Sequence, residues 1–235
     1  MESSQAAKRP ICSPKQAWRN VTILTALFCL LFALPNFVLL PSLLPPSLDV
    51  LSVALWMSLG FTVSGVLLWV IMRWWLRHDG MTLADLGWGR PTNVTGMLLA
   101  LLVGAGWLAF SFWSLSFRLP GVDVTQISPA RILAGLGVGF AGGVVEELAL
   151  RGLVMEWLRQ AKVGTWAQVL VSGAVFAIYH SLHNAFGFPF SMFISCLWAV
   201  VYVVGRRSLT TSIISHGLVD LLGEPFLLML VVASR

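Results

Sequence analysis

Apolar runs of about twenty residues, the length that crosses a bilayer as a helix, recur along this chain and are separated by short turns. Lipid offers no partner to a backbone N–H or C=O, so such runs are confined to helices, which satisfy those groups internally. Composition points the same way. Of the 235 residues, 57% are hydrophobic and 11% are charged, against roughly 25% charged in a soluble domain. That leaves too few polar groups to cover a soluble surface. The expected fold class is all-α, a polytopic membrane helix bundle of about seven to eight transmembrane helices. Residues 1-20 are expected to form a cytoplasmic basic leader, and 21-235 a single transmembrane domain with its functional core at about 80-222.

Turn residues and basic clusters divide the runs. The first span is expected over about Val21 to Leu40, with a kink at Pro35 and a stop at Pro41, Pro45 and Pro46. The second covers about Val50 to Met72 and ends on Arg73-Trp74-Trp75, an interfacial anchor. Leu76 to Asn93 is a polar connector that includes His78 as a solvated loop residue. The later spans are about Val94 to Phe117, Ala130 to Arg159, Thr165 to Leu182, Phe188 to Val204 and Leu209 to Leu222. Pro225 to Ala233 is a short apolar end piece. With the leader inside, inner segments hold Lys8, Arg9, Lys15, Arg19, Arg73, Arg77, Arg90, Arg159, Lys162, Arg206 and Arg207. The outer loops hold Arg118 and Arg131, so the N-terminus is expected on the cytoplasmic side. The net charge of +5 thus reflects orientation and implies no nucleic-acid partner. The leader is basic and lacks a small-residue cleavage site, so the first run is expected as a retained helix. Cys12, Cys29 and Cys196 are too scattered for a disulfide framework or a zinc knuckle. Most of the eleven tryptophans are expected at the interface or facing lipid.

Against this background the ionisable residues inside the runs stand out. Glu146 and Glu147 are adjacent in an apolar stretch, and burying such carboxylates costs several kcal/mol unless they are paired, protonated or wetted. His180, His216 and Asp220 fall inside later runs. At about 1.5 Å per residue from the inner helix ends, Glu146 and Asp220 lie roughly 20 Å deep, His180 roughly 24 Å and His216 roughly 14 Å. Polar residues from three spans therefore converge near one depth. Glu147 and Arg151 are four residues apart, which suits an intrahelical ion pair and keeps Glu147 ionised and largely structural. Glu146 is rotated by about 100° and need not share that partner, which leaves it as the better general base. His216 and Asp220 also share a face, so Asp220 is placed to orient His216 or hold a water. His183 and Asn184 fall at an outer helix end, and Glu156 and Arg159 near the inner surface. Gly135, Gly137, Gly139, Gly142 and Gly143 permit close helix packing just before the glutamates.

These residues carry a resemblance. Glu146-Glu147-Leu-Ala-Leu-Arg151 resembles the Glu-Glu-x-x-x-Arg motif of the CPBP family of intramembrane proteases, which includes the type II CAAX prenyl proteases and bacteriocin-processing proteins. Phe176-Ala-Ile-Tyr-His180 is similar to its Phe-x-x-x-His motif, and His216-Gly-Leu-Val-Asp220 to its His-x-x-x-Asn or Asp motif. Gly80-Met-Thr-Leu-Ala-Asp-Leu-Gly87 resembles a connector often found upstream in that family. The resemblance implies a membrane-embedded endopeptidase in which Glu146 activates a water, while His180 and His216 position it or stabilise the oxyanion. Asp220 stands where the best-known prenyl proteases have asparagine. Ionised aspartate cannot donate a hydrogen bond, so its expected part is to orient His216 or to work protonated.

The expected activity is hydrolysis of a peptide bond in a membrane-associated substrate, lipidated or a transmembrane tail, with the lipid bilayer as the other partner. Expected site residues are Glu146, His180, His216, Asp220, Glu147 and Arg151. No cofactor is expected; the family has been described both as metal-dependent and as metal-free, and with the zincin spacing His-Glu-x-x-His absent a divalent metal such as zinc stays as the alternative. The expected location is the cytoplasmic membrane of a prokaryote. Two rivals have distinct signatures. A non-catalytic immunity or scaffolding protein of the same fold would keep its function without Glu146. An ion-coupled transporter would show inverted repeats, which the sequence lacks.

Overall fold

The computed structural model describes residues 12–118, 129–182 and 187–222. The expectations for His183, Asn184 and the Pro225 to Ala233 piece fall outside them. The described residues form seven helices and no strand. Helix α1 is Pro14–Leu43, α2 is Val50–His78 and α3 is Val94–Arg118. Helix α4 runs over residues 129–160, α5 is Thr165–His180, α6 is Phe188–Val204 and α7 is Leu209–Leu222. The first four are long and apolar enough to cross a membrane, while α6 and α7 are shorter apolar helices. The protein is an integral membrane helical bundle.

Helix ends follow local chemistry. Ser13 caps α1 by accepting from the Gln16 amide at 3.3 Å, with Pro14 at the first helical position. The first helix therefore begins about two turns earlier than hydropathy alone suggests, since its first turns are polar. Pro35 lies within one continuous helix. The helix widens over Cys29–Leu39, and Asn36 donates its amide to the Phe32 carbonyl at 2.8 Å and to Ser64 of α2 at 2.9 Å. Asp49 caps α2, which continues past Met72 to His78, so His78 is an exposed helix end rather than a loop residue. The polar connector then turns at Gly80, Gly87 and Gly89, all with positive φ. At Gly87 a Cβ would stand 2.1 Å from the Arg207 carbonyl, so this connector is seated directly on the α6–α7 turn.

Helix α4 is the axis of the bundle. Two thirds of its apolar window is buried (67%), against 22–33% for the other three long helices, which leave most of their surface to lipid. It packs on α2 along one side and α7 along the other, with α1 and α5 over its C-terminal half. Helix α5 pairs with α6, and α3 closes over α6 and α7. Glycines set the close approaches. A Cβ on Gly137 would meet the Ser58 carbonyl of α2 at 2.6 Å, one on Gly135 the Leu221 carbonyl of α7 at 2.6 Å, and one on Gly143 the Gly217 Cα at 2.8 Å. Such contacts let backbones approach where larger residues would hold them apart. Trp18, Trp56, Trp74, Trp88, Trp113 and Trp166 are exposed, Trp69 and Trp107 are partly buried, and Trp75, Trp157 and Trp198 are core residues.

Candidate active site

Glu146 ends one widened stretch of α4, Phe140–Glu146, and Glu147 joins it to the next, Leu148–Val154. Widened turns of this kind gather at functional sites, where they re-aim side chains out of ordinary helical register. Here they turn both carboxylates inward; Glu146 is 2% exposed and Glu147 0%.

Glu147 is the hub. The Arg151 guanidinium lies 3.1 Å from its Oε1, a charge contact within one helix. His216 Nδ1–H donates to the same oxygen at 2.8 Å across the α4–α7 contact. Arg151 is held from its far side by α6, donating through Nη2 to the Ser195 carbonyl at 2.7 Å and to Ser195 Oγ at 2.9 Å. Trp198, three residues further along α6, stacks on His216 with ring centroids 3.6 Å apart and planes at 19°. An Nδ1–H committed to Glu147 fixes the ring's orientation. His216 Nε2 then faces Asp220 Oδ2 at 3.4 Å and Glu146 Oε2 at 3.9 Å.

Helix α5 forms the remaining wall. The His180 ring stacks on Phe176, 3.9 Å between centroids at 22°, and its Nδ1–H donates to the Phe176 carbonyl at 3.0 Å. Phe176 in turn meets His216 edge-on at 5.9 Å and Trp198 at 5.7 Å. The two imidazoles are therefore no further apart than the two separations through Phe176 combined. His180 is half-buried, at the end of its helix, whereas the Glu146, Glu147, Arg151, His216 and Asp220 cluster is enclosed. Tyr179, beside His180, is fully buried, and its hydroxyl faces Glu146 without closing an aligned hydrogen bond. Gly142, one turn before Glu146, makes room for Asp220: a Cβ there would stand 2.0 Å from Asp220 Oδ2.

The structure thus brings five of the six candidate residues into direct contact and sets His180 beside them through Phe176. Glu147 does more than pair with Arg151, because it also holds His216. Tyr179, Ser195 and Trp198 escaped the sequence reading, which takes Gly142 as a packing glycine and not as room for Asp220. Ser195 and Trp198 share a helix face by their spacing, yet neither residue type marks itself out in an apolar run. Glu156 proves to be buried and takes a two-pronged bond from Arg159 at 2.7 and 2.6 Å, away from the cluster. Among the described residues, no three His, Cys, Asp or Glu side chains are arranged to hold a metal ion.

Comparison with known proteins agrees with the motifs. Residues 128–222, from the start of α4 to the end of α7, match the model of the Rce1-like type II CAAX prenyl endopeptidases. No curated protein and no solved structure matches the chain significantly. The matched segment, residues 128–222, holds the whole polar cluster and is similar to the Rce1-like type II CAAX prenyl endopeptidases.

Proposed function

We propose that the chain is an intramembrane endopeptidase that hydrolyses a peptide bond of a lipidated or transmembrane-tail substrate, with Glu146 as general base. The observation that carries this reading is the unequal commitment of the two glutamates. Glu147 is tied to Arg151 and His216, whereas Glu146 has a longer approach to His216 at 3.9 Å and the Tyr179 hydroxyl nearby. A base must be close to its proton donor yet not locked in an ion pair.

In this mechanism Glu146 takes a proton from a water as the water oxygen bonds to the scissile carbonyl carbon. The tetrahedral intermediate collapses, the C–N bond breaks, and the proton passes from Glu146 to the departing nitrogen. His216, oriented by Glu147 through Nδ1, and His180, oriented by the Phe176 carbonyl, hold the water and the reacting carbonyl. Asp220 fixes the other side of His216. The route in this reading is metal-free, and the chelator arm of the test below decides it. The basic segments on one side of the bundle support a cytoplasmic N-terminus. The test is cleavage of a pool of lipidated and transmembrane-tail peptides by purified protein in liposomes, read by mass spectrometry. Wild type should cleave with and without a chelator, and Glu146→Gln should lose about 10²–10⁴-fold in rate. Loss of cleavage with chelator would overturn the metal-free route. Full activity of Glu146→Gln would overturn its role as base.

A further inference from the structure

Building on the endopeptidase reading, we propose that Tyr179 is a further catalytic residue, whose hydroxyl donates a hydrogen bond to the oxyanion of the tetrahedral intermediate. Tyr179 is 0% exposed and packed on three sides by rings: Phe28 at 5.1 Å, Phe32 at 5.9 Å and Phe176 at 5.5 Å. A phenylalanine would fill that space equally well. The hydroxyl is the one part of the side chain the packing does not use: it lies near the Glu146 carboxylate without meeting it in ordinary hydrogen-bond geometry. Leaving a buried hydroxyl unpaired is costly and such groups are uncommon, so its retention points to a partner that arrives with the reaction.

Its direction says which partner. The hydroxyl faces Glu146, and the ring lies against His180 with centroids 4.6 Å apart, so it borders both candidate catalytic groups. The phenol would add a donor to whatever the imidazoles supply through Nε2. Glu147 and Asp220 carboxylates accept, His216 Nδ1–H is taken by Glu147, and His180 Nδ1–H is taken by the Phe176 carbonyl. A phenol O–H held by a rigid ring cage in a dry site costs no reorganisation when charge develops, which is what an oxyanion donor requires. In the ground state the carbonyl oxygen carries little charge, so the bond strengthens as the water adds.

The test is Tyr179→Phe beside wild type and Glu146→Gln, in the same liposomes and on the same cleaved peptide, with Tm for each. The expected result is a kcat lowered by about 10²–10³-fold with KM little changed and Tm equal to or above that of wild type. Unchanged kcat overturns the proposal while leaving Glu146 as base. A Tm lowered by several degrees also overturns it, since the hydroxyl would then be a structural bond. Absence of cleavage by wild type, together with full cellular function of Glu146→Gln, overturns both the endopeptidase reading and this one.

Discussion

Gly142→Ala isolates the packing of the site from the strength of its helix. The new Cβ would stand 2.0 Å from Asp220 Oδ2, 3.2 Å from its Cγ and 3.7 Å from Glu146 Oε2. Ordinary contact begins at 3.4 Å, so the carboxylate must retreat by about 1.4 Å or the helices must part. Asp220 is a short side chain already at 3.4 Å from His216 Nε2, and a retreat of that size breaks the approach. Overpacking of this kind costs roughly 1–3 kcal/mol. The gain from replacing a helical glycine is about 1 kcal/mol and would blur the measurement. Gly139→Ala, nearly one turn earlier on α4, cancels it: there a Cβ would meet Leu221 no closer than 3.8 Å. At about 2–4 °C per kcal/mol for a chain of this size, Gly142→Ala should melt about 2–12 °C below Gly139→Ala. Its peptide cleavage should fall by roughly a hundredfold, the usual consequence of a 1 Å misplacement, while Gly139→Ala stays near wild type. The assay is Tm by intrinsic fluorescence in one detergent, alongside cleavage. Equal Tm and equal cleavage for the two variants would refute the idea that Gly142 holds space for Asp220.

Other perturbations test separate parts of the same account. Trp198→Leu removes the ring stacked 3.6 Å from His216 and should lower kcat more than it raises KM, with the pH–rate profile displaced; an unchanged profile would make Trp198 mere filling. Gly87→Ala should destabilise the bundle by about 1–3 kcal/mol, measured as Tm, because the residue has φ +95° and its Cβ would stand 2.1 Å from the Arg207 carbonyl. Asp49 accepts from the Ser52 hydroxyl at 2.7 Å and its amide at 2.9 Å, and these bonds hold its carboxyl below the usual range. A carboxyl lowered in the folded state stabilises it above about pH 3.9, and that contribution fades as pH falls through the lower folded value. The Tm advantage of wild type over Asp49→Ala should therefore shrink in acid, while the advantage of Asp49→Asn, whose amide oxygen caps without ionising, should not.

Much of this arrangement is visible in the sequence because helices convert spacing into faces. The four-residue steps from Glu147 to Arg151 and from His216 to Asp220 become contacts of 3.1 and 3.4 Å. The glycine series before Glu146 becomes the crossings with α2 and α7. Contacts between helices are less legible, since they depend on how α6 is set against α4 and α7. Ser195 and Trp198 are ordinary residues of an apolar run until Arg151 and His216 are placed beside them. Tyr179 is hidden by a neighbour, as the histidine next to it draws the chemical interest and an aromatic residue in a membrane helix reads as bulk. Span lengths mislead where polar residues extend a helix, as Pro14 to Asn20 do at the start of α1 and Arg73 to His78 at the end of α2.

The dual duty of Glu147 leads to a prediction that separates folding from catalysis. Arg151 and Glu147 are both 0% exposed at the side chain, so removing one leaves the other's charge buried, a loss of about 3–5 kcal/mol. Arg151→Met strands Glu147 with His216 alone, and Glu147→Gln strands Arg151 on the neutral Ser195 groups. Each single variant should lose about 6–20 °C in Tm at the scale used above. The double variant Glu147→Gln with Arg151→Met buries no stranded charge at the pair, and neutral replacements of a buried pair are often tolerated. Its Tm should therefore lie above that of either single variant. Cleavage should not recover with it: the amide oxygen of the introduced glutamine can still accept from His216 Nδ1–H, but it no longer carries the charge that holds the imidazole's polarity toward Asp220 and Glu146. A double variant whose destabilisation is the sum of the two single losses would show that the pair is not coupled. A double variant that regains both Tm and cleavage would show that Glu147 serves the fold alone, and that the orientation of His216 comes from Trp198 and Asp220.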